Sequence, residues 1–183
     1  VLDFSATFFG NVRGLFPIYA RDILFVGPKG LGILYAARAV GSLIAAASMA
    51  LFGPIRHGGR WIFLGIGLYG LSTVLFSGSQ VFWFSVLMLI LTGAGDTISS
   101  ILRSTINQLS TPDELRGRMS SINSIFTSSG PQLGQFESGL VAAWLGAPGS
   151  ALTGGIATLF VLAIVAGIFP KLRRFRNPHF SMG

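Results

Sequence analysis

Residues 61 to 95 carry no Asp, Glu, Lys or Arg, and neither do residues 138 to 170, giving uncharged runs of 35 and 33 positions. A bilayer core about 30 Å thick is crossed by about 20 apolar helical residues, so each run exceeds one crossing and holds parts of two. Turn-forming residues divide them, Ser77-Gly78-Ser79-Gln80 in the first and Gly146-Ala147-Pro148-Gly149 in the second. Composition points the same way. Only 10% of the 183 residues are charged and 51% are hydrophobic, against roughly 25% charged in a soluble domain. So few charges cannot cover a soluble core, and lipid must replace water as the outer solvent.

Further breaks fall at Val26 to Gly30, at Gly53 to Arg60 and at Ser110 to Arg116. Together they predict an all-α membrane protein with six transmembrane helices near 4–25, 31–53, 61–77, 81–105, 118–145 and 150–170. The chain reads as one six-helix bundle over 1–183, with a basic tail at 171–183. Thr111-Pro112-Asp113-Glu114 has the form of a capping box with proline at the first helical position, so a short surface helix is expected between spans four and five.

Basic residues set the orientation. Arg56, Arg60, Arg103, Arg116, Arg118, Lys171, Arg173, Arg174 and Arg176 fall on one side, and Arg21 and Lys29 on the other. The positive-inside rule then places both ends of this segment in the cytoplasm, in a cell (inner) membrane. The net charge of +7 is a matter of topology rather than of nucleic-acid binding, because the cations are clustered between apolar runs. The tail is a stop-transfer anchor on anionic headgroups. The N-terminus has no basic leader or small-residue cleavage site, so it is not expected to be a signal peptide, and the chain reads as a fragment.

Away from the span ends, four ionisable residues lie inside spans, where a charge is costly and functional by default: Arg13, Arg38, Asp96 and Glu137. On the expected boundaries, Arg38 and Glu137 both lie about 12 Å below the outer surface, and Arg13 and Asp96 both lie about 13 Å above the inner one. Depth therefore predicts the pairs Arg38–Glu137 and Arg13–Asp96. These charges assign spans one, two, four and five to a polar interior, with spans three and six left to lipid. Asn123 and Gln132 join the candidate substrate or proton pathway, and Asp96 and Glu137 are its candidate proton carriers. An equally simple reading makes the charges structural ion pairs.

Span five is the least lipid-like. Gly130-Pro131 permits a bend, and Gly130, Gly134 and Gly139 permit close helix approach. In span three Gly65, Gly67 and Gly70 match a dinucleotide fingerprint in spacing, but no strand precedes them and small-residue packing accounts for them better. There are no cysteines, and His57 and His179 lie in the expected cytoplasmic segments. No metal site, cofactor or catalytic dyad is expected, and the chain is not read as an enzyme.

Residues 103–123 (RSTINQLSTPDELRGRMSSIN) and 130–139 (GPQLGQFESG) resemble the loop and helix joining spans ten and eleven of major facilitator transporters. Residues 15–21 (LFPIYAR) and 30–37 (GLGILYAA) are similar to spans seven and eight of the same family's bacterial drug and siderophore exporters. The resemblance implies the C-terminal half of a twelve-helix carrier, built from two inverted three-helix repeats. It implies a missing N-terminal six-helix half as partner, a small-molecule substrate, and alternating access with proton antiport. It also implies cytoplasmic gating loops containing Arg56, Arg60, Asp113, Arg116 and Arg118, although the loop at Gly53 to Arg60 lacks the family's acidic residue. The alternatives are a non-transporting bundle or scaffold, and a half-carrier that homodimerises.

Overall fold

The computed structural model describes residues 11–52, 58–110 and 116–168, and every regular element among them is helical. A short helical segment opens the described chain, tightening and loosening as it goes: a 3-10 turn over Val12–Leu15, an α turn over Phe16–Ile18 and a π turn over Tyr19–Ile23. Four long helices follow, α1 (Gly27–Phe52), α2 (Gly58–Ser77), α3 (Phe82–Ser110) and α4 (Arg116–Ile168). Each contains a stretch long and apolar enough to cross a membrane: Gly27–Leu51, Gly59–Ser77, Phe82–Ile106 and Ser128–Ile168.

These elements differ from the expected spans in instructive ways. The first expected span is not one α-helix where it is described. Asn11 caps the 3-10 turn by accepting from the Arg13 N–H, and Pro17 follows within a turn. The segment then ends where the Leu24 N–H reaches back to the Tyr19 carbonyl and Phe25 adopts a φ of 51°. Phe25 is 81% exposed, so this left-handed bend at a non-glycine residue turns the chain with little packing of the ring. Helix α1 consequently starts at Gly27, earlier than the expected 31, and α3 continues to Ser110, beyond the expected 105.

Spans five and six run together as α4, whose 53 residues would reach about 80 Å if straight. It is not straight. Gly146 has φ 74° and ψ 167°, a conformation open essentially to glycine alone, and Ser150 Oγ donates to the Ser138 carbonyl at 2.8 Å. Twelve residues apart on one helix, those groups would be separated by about 18 Å. The chain therefore folds back at Gly146 into two arms, one on either side. Pro131 keeps helical dihedrals, so the sharp break lies at Gly146 rather than at Gly130-Pro131. The expected capping box at Thr111 to Glu114 lies outside the described residues.

Helix α3 is the hub, and glycine makes it so. A Cβ on Gly41 of α1 would strike the Ile90 carbonyl, and one on Gly93 would strike the Arg38 carbonyl. On the other flank, Gly65 of α2 and Gly95 of α3 face one another's carbonyls. Backbones this close gain dispersion contact that lipid cannot supply, which is the main attraction available between helices in a bilayer. Gly70 and Gly155 in turn seat α2 against the second arm of α4, through Leu159 and Val74.

Two apolar clusters close the bundle. One joins Leu15, Phe16 and Tyr19 of the first segment to Leu34, Phe76, Leu89 and Ala151. Its aromatic centre places the Tyr19 and Phe76 rings 4.4 Å apart, with the Tyr19 hydroxyl donating to the Ser77 carbonyl at 3.0 Å. The other cluster joins Ile62 and Ile66 of α2 to Leu102 of α3.

Candidate functional site

Between these clusters, along all three helices that meet there, sits a charged group. On α1 Arg38 follows Leu34 and precedes Met49, on α2 Tyr69 lies between Ile66 and Phe76, and on α3 Asp96 lies between Leu89 and Leu102. Arg38 Nη2 donates to Asp96 Oδ2 at 3.0 Å, and the guanidinium carbon stands 5.9 Å from the centre of the Tyr69 ring. The glycine contact fixes this geometry: Gly93 lies against the Arg38 backbone, and Asp96 follows one turn along α3. Ser42, one turn beyond Arg38, adds a hydrogen bond to the Gly93 carbonyl at 3.3 Å.

The pair is unequal in its surroundings. The Arg38 side chain is 12% exposed and that of Asp96 33%. A buried guanidinium normally places several donors, yet Arg38 Nη1 is buried without a partner among the described residues. The carboxylate thus opens outwards while the cation is held in the wall.

This arrangement replaces both expected pairs. Arg38 pairs with Asp96, not with Glu137, and Arg13 takes no ion pair with Asp96. The cause is the helix ends. Counted from the start of α1 and of α3, Arg38 and Asp96 lie 11 and 14 residues down, about 4 to 5 Å apart in depth, which an arginine side chain spans. Tyr69 was missed because span three was assigned to lipid. A hydroxyl-bearing aromatic in the middle of an apolar helix is the signal that marks it.

The remaining candidates are placed as follows. Arg13 is exposed on the 3-10 turn, with its carbonyl accepting from the Tyr35 hydroxyl at 3.4 Å. Glu137 is half-buried and Gln132 exposed on the first arm of α4. Asn123 and Arg118 lie on the same arm. Gly130 and Gly134 are buried, and Asn11 Nδ2 donates to the Pro131 carbonyl at 2.7 Å, tying the first segment to this arm. Gly139 instead has nothing within 4 Å of a Cβ placed there, so it makes no close approach among the described residues. Arg60 is exposed in the first turn of α2, Arg116 begins α4, and Arg56 and Asp113 lie outside the described residues. A separate cavity of about 410 Å³ lies between the first segment and α1, lined by residues including Pro17, Arg21 and Leu31, and it contains none of these candidates.

Long apolar helices locked by glycine contacts, with an arginine–aspartate pair between apolar clusters, define a multi-pass helical membrane protein. The chain belongs to the transmembrane secretion effector family of major facilitator transporters, whose profile matches residues 4–180. It is 30% identical over 174 residues to an enterobactin exporter of Citrobacter koseri, and 29% identical over 176 residues to enterobactin exporters of Escherichia coli O81 and Shigella boydii serotype 18. Each comparison covers 91% of this chain and 40% of the relative, so the chain spans about two-fifths of the length of the curated relatives it matches. No solved structure matches it significantly.

Proposed function

We propose that this chain is the C-terminal six-helix half of a twelve-helix secondary exporter, which moves a small molecule such as a drug or siderophore outwards by alternating access in exchange for protons. The observation that carries this reading is the family match over nearly the whole chain, on relatives two-fifths of whose length it spans. The first segment, α1, α2, α3 and the two arms of α4 supply the six crossings, arranged as two inverted three-helix repeats. Both ends of the segment lie in the cytoplasm of a bacterial inner membrane, consistent with the basic residues between and after the spans.

The first arm of α4 supports a cavity-lining role, since Ser124, Ser128, Gln132 and Gln135 are exposed along it and a polar stripe is costly against lipid. Asp96 and Glu137 are the proton carriers in this scheme, Arg13, Asn123 and Gln132 line the path, and Arg56, Arg60, Asp113, Arg116 and Arg118 gate it from the cytoplasm. Gly130, Pro131 and Gly134 allow the arm to bend between states.

Everted vesicles bearing the full-length protein, energised with a pH gradient and challenged with a panel of small amphipathic compounds, test this. At least one compound is expected to release protons through the wild type and not through Asp96→Asn or Glu137→Gln, with membrane insertion intact. Unchanged proton release in both variants removes these carboxylates from the proton path. An antibody to the tail tests the architecture: a native species about twice 19.4 kDa is expected, because such carriers pair two six-helix halves. A species near 19.4 kDa leaves a homodimeric half-carrier or a non-transporting bundle.

A further inference from the structure

The reversal between the first segment and α1 is held open rather than packed shut. The Leu24 N–H reaches five residues back to the Tyr19 carbonyl and the Val26 N–H six back to that of Ala20, and the chain then passes through positive φ at Phe25 and Gly27. A wide turn and a non-glycine residue at positive φ both cost conformational energy, and both are enriched where a site is built. The turn encloses the cavity of about 410 Å³, within the size range of small-ligand sites. Its walls are apolar, from Pro17, Ala20, Phe25 and Leu31, and its charged lining residue is Arg21.

Neighbouring elements set the depth of this cavity. Tyr19 donates to the Ser77 carbonyl, and Leu24, Val26 and Leu31 pack into the cluster that also contains Phe82 and Ala147. The turns at Val26, Ser77 and Gly146 therefore lie at one end of the bundle. Trp83 and Trp144 stand close to two of those turns in the chain, 72% and 88% exposed. Tryptophans so placed mark the boundary between acyl chains and headgroups. The cavity thus lies where a lipid changes from polar to apolar. Arg21 and the adjacent Asp22 are exposed there, and their Nε–Oδ1 contact of 3.6 Å is too long for a hydrogen bond, so each keeps its capacity for a ligand. Lys29 is exposed at the same turn but does not line the cavity.

We propose that this cavity holds a phosphatidylethanolamine of the surrounding leaflet, with its phosphate on Arg21, its ammonium on Asp22 and the upper part of one acyl chain between Pro17, Phe25 and Leu31. The headgroup carries an anion and a cation joined by a two-carbon link, and Arg21 and Asp22 present the opposite charges side by side, 3.6 Å apart. A phosphate accepts two parallel N–H groups from a guanidinium, and a primary ammonium donates to a carboxylate where a quaternary choline has no N–H to give. Phosphatidylglycerol offers Arg21 the same phosphate but brings no cation to Asp22. The site requires only a lipid-embedded bundle, so it is independent of the exporter reading.

Full-length protein purified in detergent, titrated with phosphatidylethanolamine, phosphatidylcholine or phosphatidylglycerol of identical acyl chains, tests the proposal by native mass spectrometry, which counts the lipids bound. The first phosphatidylethanolamine is expected to bind about tenfold or more tightly than either other lipid. Arg21→Gln is expected to remove that tight first site, and Asp22→Asn to erase the preference for phosphatidylethanolamine over phosphatidylcholine. Both side chains are exposed, so neither change disturbs packing, and thermal unfolding in lipid-free detergent is expected to match the wild type. Pro17→Trp fills the cavity from an exposed position with both charges in place, and is expected to weaken the first lipid about tenfold. Equal affinities for the three lipids overturn the proposal, as does a tight first site that survives both charge variants. So does a preference for phosphatidylglycerol, which would make Arg21 and Lys29 a plain basic patch. Vesicle transport is read separately: a lipid site in a protein that transports nothing sinks the exporter reading alone, and transport without a selective lipid site sinks this one alone.

Discussion

The Arg38–Asp96 contact is a single hydrogen-bonded ion pair inside a lipid-embedded bundle, and the sign of its effect depends on what it is compared with. Against a bundle missing one partner it is strongly stabilising, because the survivor is a charge with no solvent. Arg38→Met or Asp96→Leu alone is expected to cost about 3–5 kcal/mol. Against a bundle missing both it is close to neutral, and the double variant is expected to melt at or above the wild type. Thermal unfolding of the four proteins in one detergent measures the cycle, and additive losses would show that the two side chains do not act as a pair. Glycine at 93 has the opposite character: Gly93→Ala forces the α1 and α3 backbones apart and is expected to lower stability by about 1–3 kcal/mol by the same measurement. The cost of charges inside spans made Arg38 and Asp96 legible in the sequence. Their partnership was not, since four residues of error at the start of α1 and five at the end of α3 shift depth by about 6 to 8 Å, enough to exchange partners.

At the scale of elements, the decisive feature is the reversal at Gly146. Its dihedrals are closed to residues with a Cβ, so Gly146→Ala is expected to cost about 1–3 kcal/mol and to splay the two arms of α4. With no native cysteine in the chain, a cysteine pair replacing Ser138 and Ser150 reports the fold-back through a short bifunctional crosslinker. Efficient crosslinking in the Gly146 background and a loss of it after Gly146→Ala are expected, and equal yields in both would place the reversal elsewhere. This break was legible, because Gly146-Ala147-Pro148-Gly149 punctuates an apolar run too long for one crossing. The glycines of α2 were legible too, Gly65 and Gly70 both lying where another helix approaches. The first segment was not, since its 3-10 and π turns are imposed by contacts that hydropathy does not record: the Asn11 cap, and the packing of Phe16 and Tyr19 on Phe76.

At the scale of the molecule, glycine contacts lock α1, α2, α3 and the second arm of α4 into a block, the first segment packs Leu15, Phe16 and Tyr19 into that block, and the first arm of α4 lies alongside the first segment. The first arm of α4 carries an exposed polar stripe, Ser124, Ser128, Gln132 and Gln135, beside apolar side chains such as Leu133 and Phe136, whereas the second arm exposes apolar side chains such as Leu152, Ile156 and Phe160. The proposed carrier half needs such a division, one face for a water-filled path and one for lipid. Labelling of single cysteines by a membrane-impermeant maleimide, in the full-length protein in its own membrane, tests that most directly. Cysteines at Ser124, Ser128, Gln132 and Gln135 are expected to react, to a degree that changes when a proton gradient is imposed, while cysteines at Leu152 and Phe160 stay protected. Uniform protection of the polar face, or reactivity that no gradient alters, would contradict a transport path along α4 and leave a static bundle.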